Sequence, residues 1–162
     1  EGYAAATSRR IAEEAGVKQQ LVYYYFRTMD ELLLETFKRR TAVAIAALEE
    51  VVASDKPIQA LWENMTNRTD NRLNFEFMAL ANHHDGMREE ITRFITESRK
   101  LQGAAIARQL EQDNVDASPA GPGAIAFLLQ CISIMLGREA STGITEGHDE
   151  VRDFMNWAMK QA

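Results

Sequence analysis

Apolar residues return every three or four positions along almost the whole chain, and this single periodicity confines it to helices. Leu32, Leu33, Phe37, Ala44, Leu48 and Val51 mark one long helix, which ends before Lys56-Pro57, where the next begins. Met87, Ile91, Phe94, Ser98, Leu101, Ala105 and Leu110 mark another, with Glu89 and Arg93 placed as an i,i+4 pair on its wet side. Sustained period-two alternation is missing, and no Asn-Gly or Asp-Gly turn joins β-branched runs. The expected fold class is all-α.

The stretch from Asp113 to Gly123 is dense in turn formers and separates the middle of the chain from its last third. Beyond it, Ala124 to Leu136 is apolar nearly all round, so a helix there must be covered on most sides. The run contains Gln130 and Ser133 and falls short of the ~20 residues that a bilayer span needs, so no membrane anchor is expected. A final helix places Val151, Phe154, Met155, Ala158 and Met159 at i, i+3, i+4, i+7 and i+8, a coiled-coil-like seam. Two such C-terminal helices amount to half of a four-helix interface, the alternative being ordinary packing inside a monomer.

Composition narrows the classes further. A chain of 162 residues with 46% hydrophobic residues is long enough for one compact domain, or two small ones sharing a core. Nine glycines, three prolines and one cysteine exclude a disulfide framework, a Cys-rich zinc site and low-complexity disorder. The net charge is −6, yet residues 1–40 hold seven Lys/Arg against six acids, a net of +1 that leaves −7 on the remainder. A polyanion would therefore meet the N-terminal end, although charge alone would not mark this chain as a DNA binder. The opening Glu1-Gly2-Tyr3 has neither an initiator Met nor a signal-peptide core, as expected of a segment from within a longer chain.

The N-terminal stretch carries the most specific pattern. Thr7 can cap a short helix whose apolar face is Ile11, Ala12 and Ala15, and Gly16 supplies a left-handed exit. Lys18 to Phe26 forms a second short helix, and two such helices joined by a tight turn are a helix-turn-helix, whose second helix fits a major groove roughly 12 Å wide. Gln19 and Gln20 sit near its start, where side chains reach base edges, and Gln can pair bidentately with adenine. Val22 and Phe26 face the small core, while Tyr23 and Tyr24 lean toward the duplex backbone. Thr28 announces the next helix, with Asp30 and Glu31 in its first turn as the macrodipole favours.

Ile11-Ala12-Glu13-Glu14-Ala15-Gly16-Val17, followed by Val22-Tyr23-Tyr24-Tyr25-Phe26-Arg27-Thr28-Met29-Asp30-Glu31-Leu32-Leu33, resembles the DNA-binding domain of the TetR family of bacterial transcriptional regulators. The resemblance implies a DNA-binding domain over residues 1–40 and a ligand-binding and dimerisation domain over 41–162. It implies a cytoplasmic homodimeric repressor that binds a palindromic double-stranded operator and is released by a small apolar or aromatic effector. Thr7 and Ser8 match phosphate-contacting positions, and Arg9 a position that reaches a base or phosphate. Gln19 and Gln20 match base-reading positions, and Tyr23 and Tyr24 an aromatic pair touching backbone or thymine methyls; Lys18 completes the expected set. Lys18 stands where a capping Ser is common, Leu21 replaces a frequent Thr, Tyr25 a frequent His, and Met29 a frequent phosphate-contacting Lys. Fewer phosphate donors imply a shallower salt slope. The family's first helix, which would precede Glu1, is expected to be missing from this sequence. The implied interface between subunits uses Phe127, Gln130, Cys131, Ile134, Val151, Phe154, Met155 and Ala158.

The family keeps its inducer pocket in the region matching Pro57 to Asn114. Trp62, Met65, Phe75, Met78 and Phe94 suit an apolar or aromatic guest, with Asn82 and His83 as orienting groups and Asn64, Asn71 and His84 as further polar candidates. Each aromatic or Met also suits plain core. His83-His84-Asp85 looks like a metal cluster, but neighbouring helical residues diverge, and a surface or helix-end role fits better. Cys131 reads as a small buried hydrophobe. Neither a hydrolase elbow, a zinc-protease motif, a phosphate loop nor a dinucleotide fingerprint occurs, so neither enzyme activity nor a cofactor is expected. The alternative function is a helical small-molecule sensor or carrier that binds no operator.

Overall fold

The computed structural model describes residues 6–67 and 72–161. Among these, eight helices and no strands occur: α1 (Ser8–Glu14), α2 (Gln19–Tyr25), α3 (Met29–Val52), α4 (Pro57–Thr66), α5 (Arg72–Ala81), α6 (Asp85–Gln112), α7 (Pro122–Ala140) and α8 (His148–Gln161). The all-α class and the order of helices follow from local punctuation. Thr7 Oγ1 accepts from the Arg10 amide at 3.3 Å to start α1. Thr28 Oγ1 accepts from the Glu31 amide at 3.1 Å, and Glu31 Oε2 accepts from the Arg27 amide at 2.7 Å, a near capping box that starts α3. Pro57 and Pro122 stand in the first turns of α4 and α7, where a missing N–H costs nothing. His84 Nδ1 accepts from the Met87 amide at 3.1 Å, so one member of the His83-His84-Asp85 cluster serves as the cap of α6.

The described residues divide into two compact units, which fall within 1–43 with 73–93 and within 44–72 with 94–162. This differs from a single boundary at residue 40, because α5 and the start of α6 join the N-terminal helices, and α3 and α6 each supply residues to both units. In the first unit, Ala12, Val22 and Leu32 form a small core under Ile11 and Phe26. A second cluster holds Phe37, Phe77, Ala81 and Met87, with the two phenylalanine rings 4.8 Å apart. Thr41 donates to Glu90 Oε1 at 3.3 Å, tying α3 to α6, and Arg93 Nε donates to both Glu90 oxygens at 3.2 and 3.1 Å.

The second unit is built on one larger core in which Leu61, Trp62, Ile106, Ala126 and Leu129 are almost fully buried. Two side-chain-to-backbone bonds stitch its rim: Arg108 Nη2 donates to the Val52 carbonyl at 2.6 Å, and the Ile58 amide donates to Gln109 Oε1 at 3.0 Å. The second satisfies an otherwise orphaned N–H of the first turn of α4.

In α7, Ala126, Leu129, Ser133 and Leu136 turn inward, whereas Phe127, Leu128, Ile134 and Met135 lie open on the other side, as does Cys131. Cys131 is thus exposed in this chain rather than buried, because it lies on the stripe facing away from the core. The helix is also longer than its apolar run. Flanking turns extend it to 19 residues with a mean hydropathy of 1.4, enough by length and composition to cross a membrane, with 22% of that window buried. In α8, Val151, Met155 and Met159 pack onto the core while Phe154 and Trp157 stay outside, 60% and 57% exposed with their rings 5.9 Å apart. The C-terminal seam read from sequence therefore divides between two faces.

Candidate nucleic-acid interface

Gly16 has φ +66, the left-handed turn that ends the first helix, and the Val17 amide donates back to the Ala12 carbonyl at 2.9 Å. Val22 is 9% exposed and Phe26 packs beside it, so α2 is pinned by one edge and turns its opposite edge outward. On that edge Gln20 is exposed and Tyr24 is 79% exposed, and Tyr23 and Tyr25 flank it at 54% and 66%. Tyr24 and Tyr25 meet edge to face, with centroids 5.2 Å apart. Tyr25, which stands where the family frequently has a His, is as open as its neighbours.

Ser8 is buried rather than presented to solvent, at 6% exposure. Its Oγ accepts from Gln19 Nε2 at 2.9 Å and donates to the Tyr23 hydroxyl at 2.8 Å. Ser8, expected at a phosphate, is therefore joined to two side chains of the second helix, while Thr7 spends its hydroxyl on the α1 cap. Arg9 is exposed and pairs through Nε with Glu13 Oε1 at 3.0 Å. Lys18 is exposed at the N-cap of α2 and makes no side-chain capping bond. The face can offer amide donors and acceptors from Gln20, phenolic hydroxyls, and cations from Arg9 and Lys18, the groups that read base edges and hold phosphates.

The expected effector set does not gather in one core. Trp62 is 3% exposed and Met65 packs with it in the second unit, where Phe94 is half-buried. Phe75 is half-buried, and Met78, Asn82 and His83 are exposed, in the first unit. Asn64 and His84 are half-buried, and Asn71 lies outside the described residues. A cleft of about 590 Å³ in the second unit is lined by none of these. Of the expected subunit interface, Phe127, Cys131, Ile134 and Phe154 are open, Val151 and Met155 pack inward, Ala158 is half-buried, and Gln130 Oε1 accepts from Arg99 Nη2 at 3.4 Å.

Two short helices joined at a glycine turn, with glutamine and tyrosine exposed on the second, have the form of a helix-turn-helix. Residues 1–36 match the family model for bacterial regulatory proteins, tetR family. The match covers the N-terminal segment, which is similar to the DNA-binding region of that family, and it supports a DNA-binding role for this part of the chain. Neither a curated protein nor a solved structure matches the chain.

Proposed function

We propose that the protein is a cytoplasmic, ligand-responsive repressor that binds a palindromic operator as a homodimer. The observation that carries this reading is the outward edge of α2, where Gln20 and Tyr24 stand open beside a Gln19 that Ser8 holds in place. Pairing is supported by the uncovered stripe of Phe127, Leu128, Ile134 and Met135 on α7 together with Phe154 and Trp157 on α8. Exposed apolar side chains in such number favour a second copy. In the dimer, two recognition helices spaced roughly 34–36 Å apart enter successive major grooves of one DNA face.

A small effector releases the operator by favouring a spacing that no longer fits, and it shifts that equilibrium only by its differential affinity for the two states. Operator DNA then weakens effector binding by the same factor. Met78 is exposed and open to an apolar or aromatic effector, whereas Trp62 is committed to the core.

Selection of bound sequences from random duplex DNA at two salt concentrations tests the reading. A palindrome whose affinity falls with salt is the expected result. Recovery of nothing above background would replace it with a helical small-molecule-binding module that reads no operator.

A further inference from the structure

The cleft of about 590 Å³ in the second unit lies within the roughly 300–1,000 Å³ range of small-molecule sites. Its lining differs in kind from an apolar pocket. Lys56 and Lys160 bring two ammonium groups, Glu63 and Asp113 two carboxylates, so the lining charge sums to zero. Gln59 and Gln109 add carboxamides. Among the described residues, neither lysine nor Asp113 is engaged in an ion pair, while Glu63 Oε1 accepts from Gln59 Nε2 at 2.8 Å.

Gln109 is the built element. It is 93% buried, being 7% exposed, and its Oε1 accepts from the Ile58 amide at 3.0 Å. Because a backbone N–H can only donate, that bond fixes which end of the carboxamide is oxygen and leaves the Nε2 hydrogens as donors. A donor held this way beside unpaired charges of both signs is pre-organised for a polar guest.

We infer that this cleft binds a small zwitterion of amino-acid or dipeptide size, through its carboxylate and its ammonium group. A simple anion would meet repulsion from Glu63 and Asp113, and a simple cation from Lys56 and Lys160, whereas a molecule carrying both charges can pair with each sign. No aromatic ring lines the cleft, so the apolar face of a sugar has no platform to stack on. The site goes beyond the apolar effector reading, being chemically different and lined by none of its residues. It also stands independently of operator binding.

The test is titration of the protein, without DNA, with glycylglycine, L-glutamine and L-methionine, followed by amide chemical shifts and calorimetry. Acetate, methylammonium and glucose serve as single-feature probes. At least one zwitterion is expected to saturate and to shift the Ile58, Gln59 and Gln109 amides, with each single-feature probe about ten-fold weaker or more. The exposed-residue variants Lys160→Ala and Asp113→Ala, which remove no core contact, are each expected to weaken it about ten-fold. Absence of saturable binding, equal binding of any single-feature probe, or parental affinity in both variants would overturn the assignment.

Discussion

Gln19 donates from Nε2 to Ser8 Oγ across the helix-turn-helix at 2.9 Å, and the same oxygen donates onward to the Tyr23 hydroxyl at 2.8 Å. A residue of the first helix thereby sets the pose of two residues of the recognition helix. Ser8→Ala is expected to lower stability by about 0.5–1.5 kcal/mol in urea unfolding. It should also broaden the base preference proposed for Gln19, as measured by repeating the DNA selection. An unchanged preference would show that the tether has no bearing on recognition.

Gln20 and Tyr24 are expected to fail in different ways. Replacing Gln20 with Ala should remove roughly 1–3 kcal/mol of discrimination at one base pair, while Tyr24→Ala should weaken all sequences alike. Competition binding against a set of single-base operator variants separates the two, and a uniform loss from Gln20→Ala would contradict its role.

Glu90 is 9% exposed, and the Arg93 guanidinium bonded to it pulls its carboxyl below the ordinary 4.5, against the opposing effect of burial. A carboxylate whose folded value is lowered adds stability above its unfolded pKa and loses it as pH falls through the folded value. Stability should therefore decline as pH drops below about 4.5, and Glu90→Gln should flatten that part of the curve. Denaturant midpoints at stepped acidic pH give the comparison.

Two glycines predict opposite signs for the same substitution. Neither Gly16 nor Gly103 has an atom within 4 Å of an added Cβ, so space decides neither case. Gly16 has φ +66, where an L side chain is strained, and Gly16→Ala should cost about 1 kcal/mol. Gly103 lies inside α6, and Gly103→Ala should stabilise by roughly 0.5–1 kcal/mol. Thermal melts of the two variants measure both.

Phe127→Glu and Phe154→Glu place charge on the open faces of α7 and α8 without emptying the core, since the parent rings are 48% and 60% exposed. Both should shift the sedimentation profile from dimer to monomer with far-ultraviolet circular dichroism unchanged. A monomeric parent would remove the pairing.

What the sequence disclosed depended on the range of the interaction. Thr7, Gly16, Thr28, Pro57 and Pro122 act on neighbours within a turn, so helix starts and stops could be read residue by residue. Ser8 could not, because its partners lie 11 and 15 residues away and a serine at a helix start looks the same whether it meets phosphate or protein. Trp62 suits a pocket and a core equally by residue type, and only packing against Ile106 and Leu129 in one cluster commits it. The division of the α8 seam has a related reason: Phe154 and Met155 are adjacent in sequence, and a one-residue step of 100° sends one outward and the other into the core. The polar cleft gave no local signal, since its lysines and carboxylates come from three separate helices and the segments beside them.

The two tryptophans of this chain occupy contrasting surroundings, Trp62 being 3% exposed in the core and Trp157 57% exposed on α8. The molecule thus carries two intrinsic optical reporters. Emission from Trp62 should be blue-shifted and shielded from iodide for as long as the second unit stays folded. Emission from Trp157 should be red-shifted and open to quenching, so a loss of quenching with rising protein concentration would register the covering of α8 without any added label.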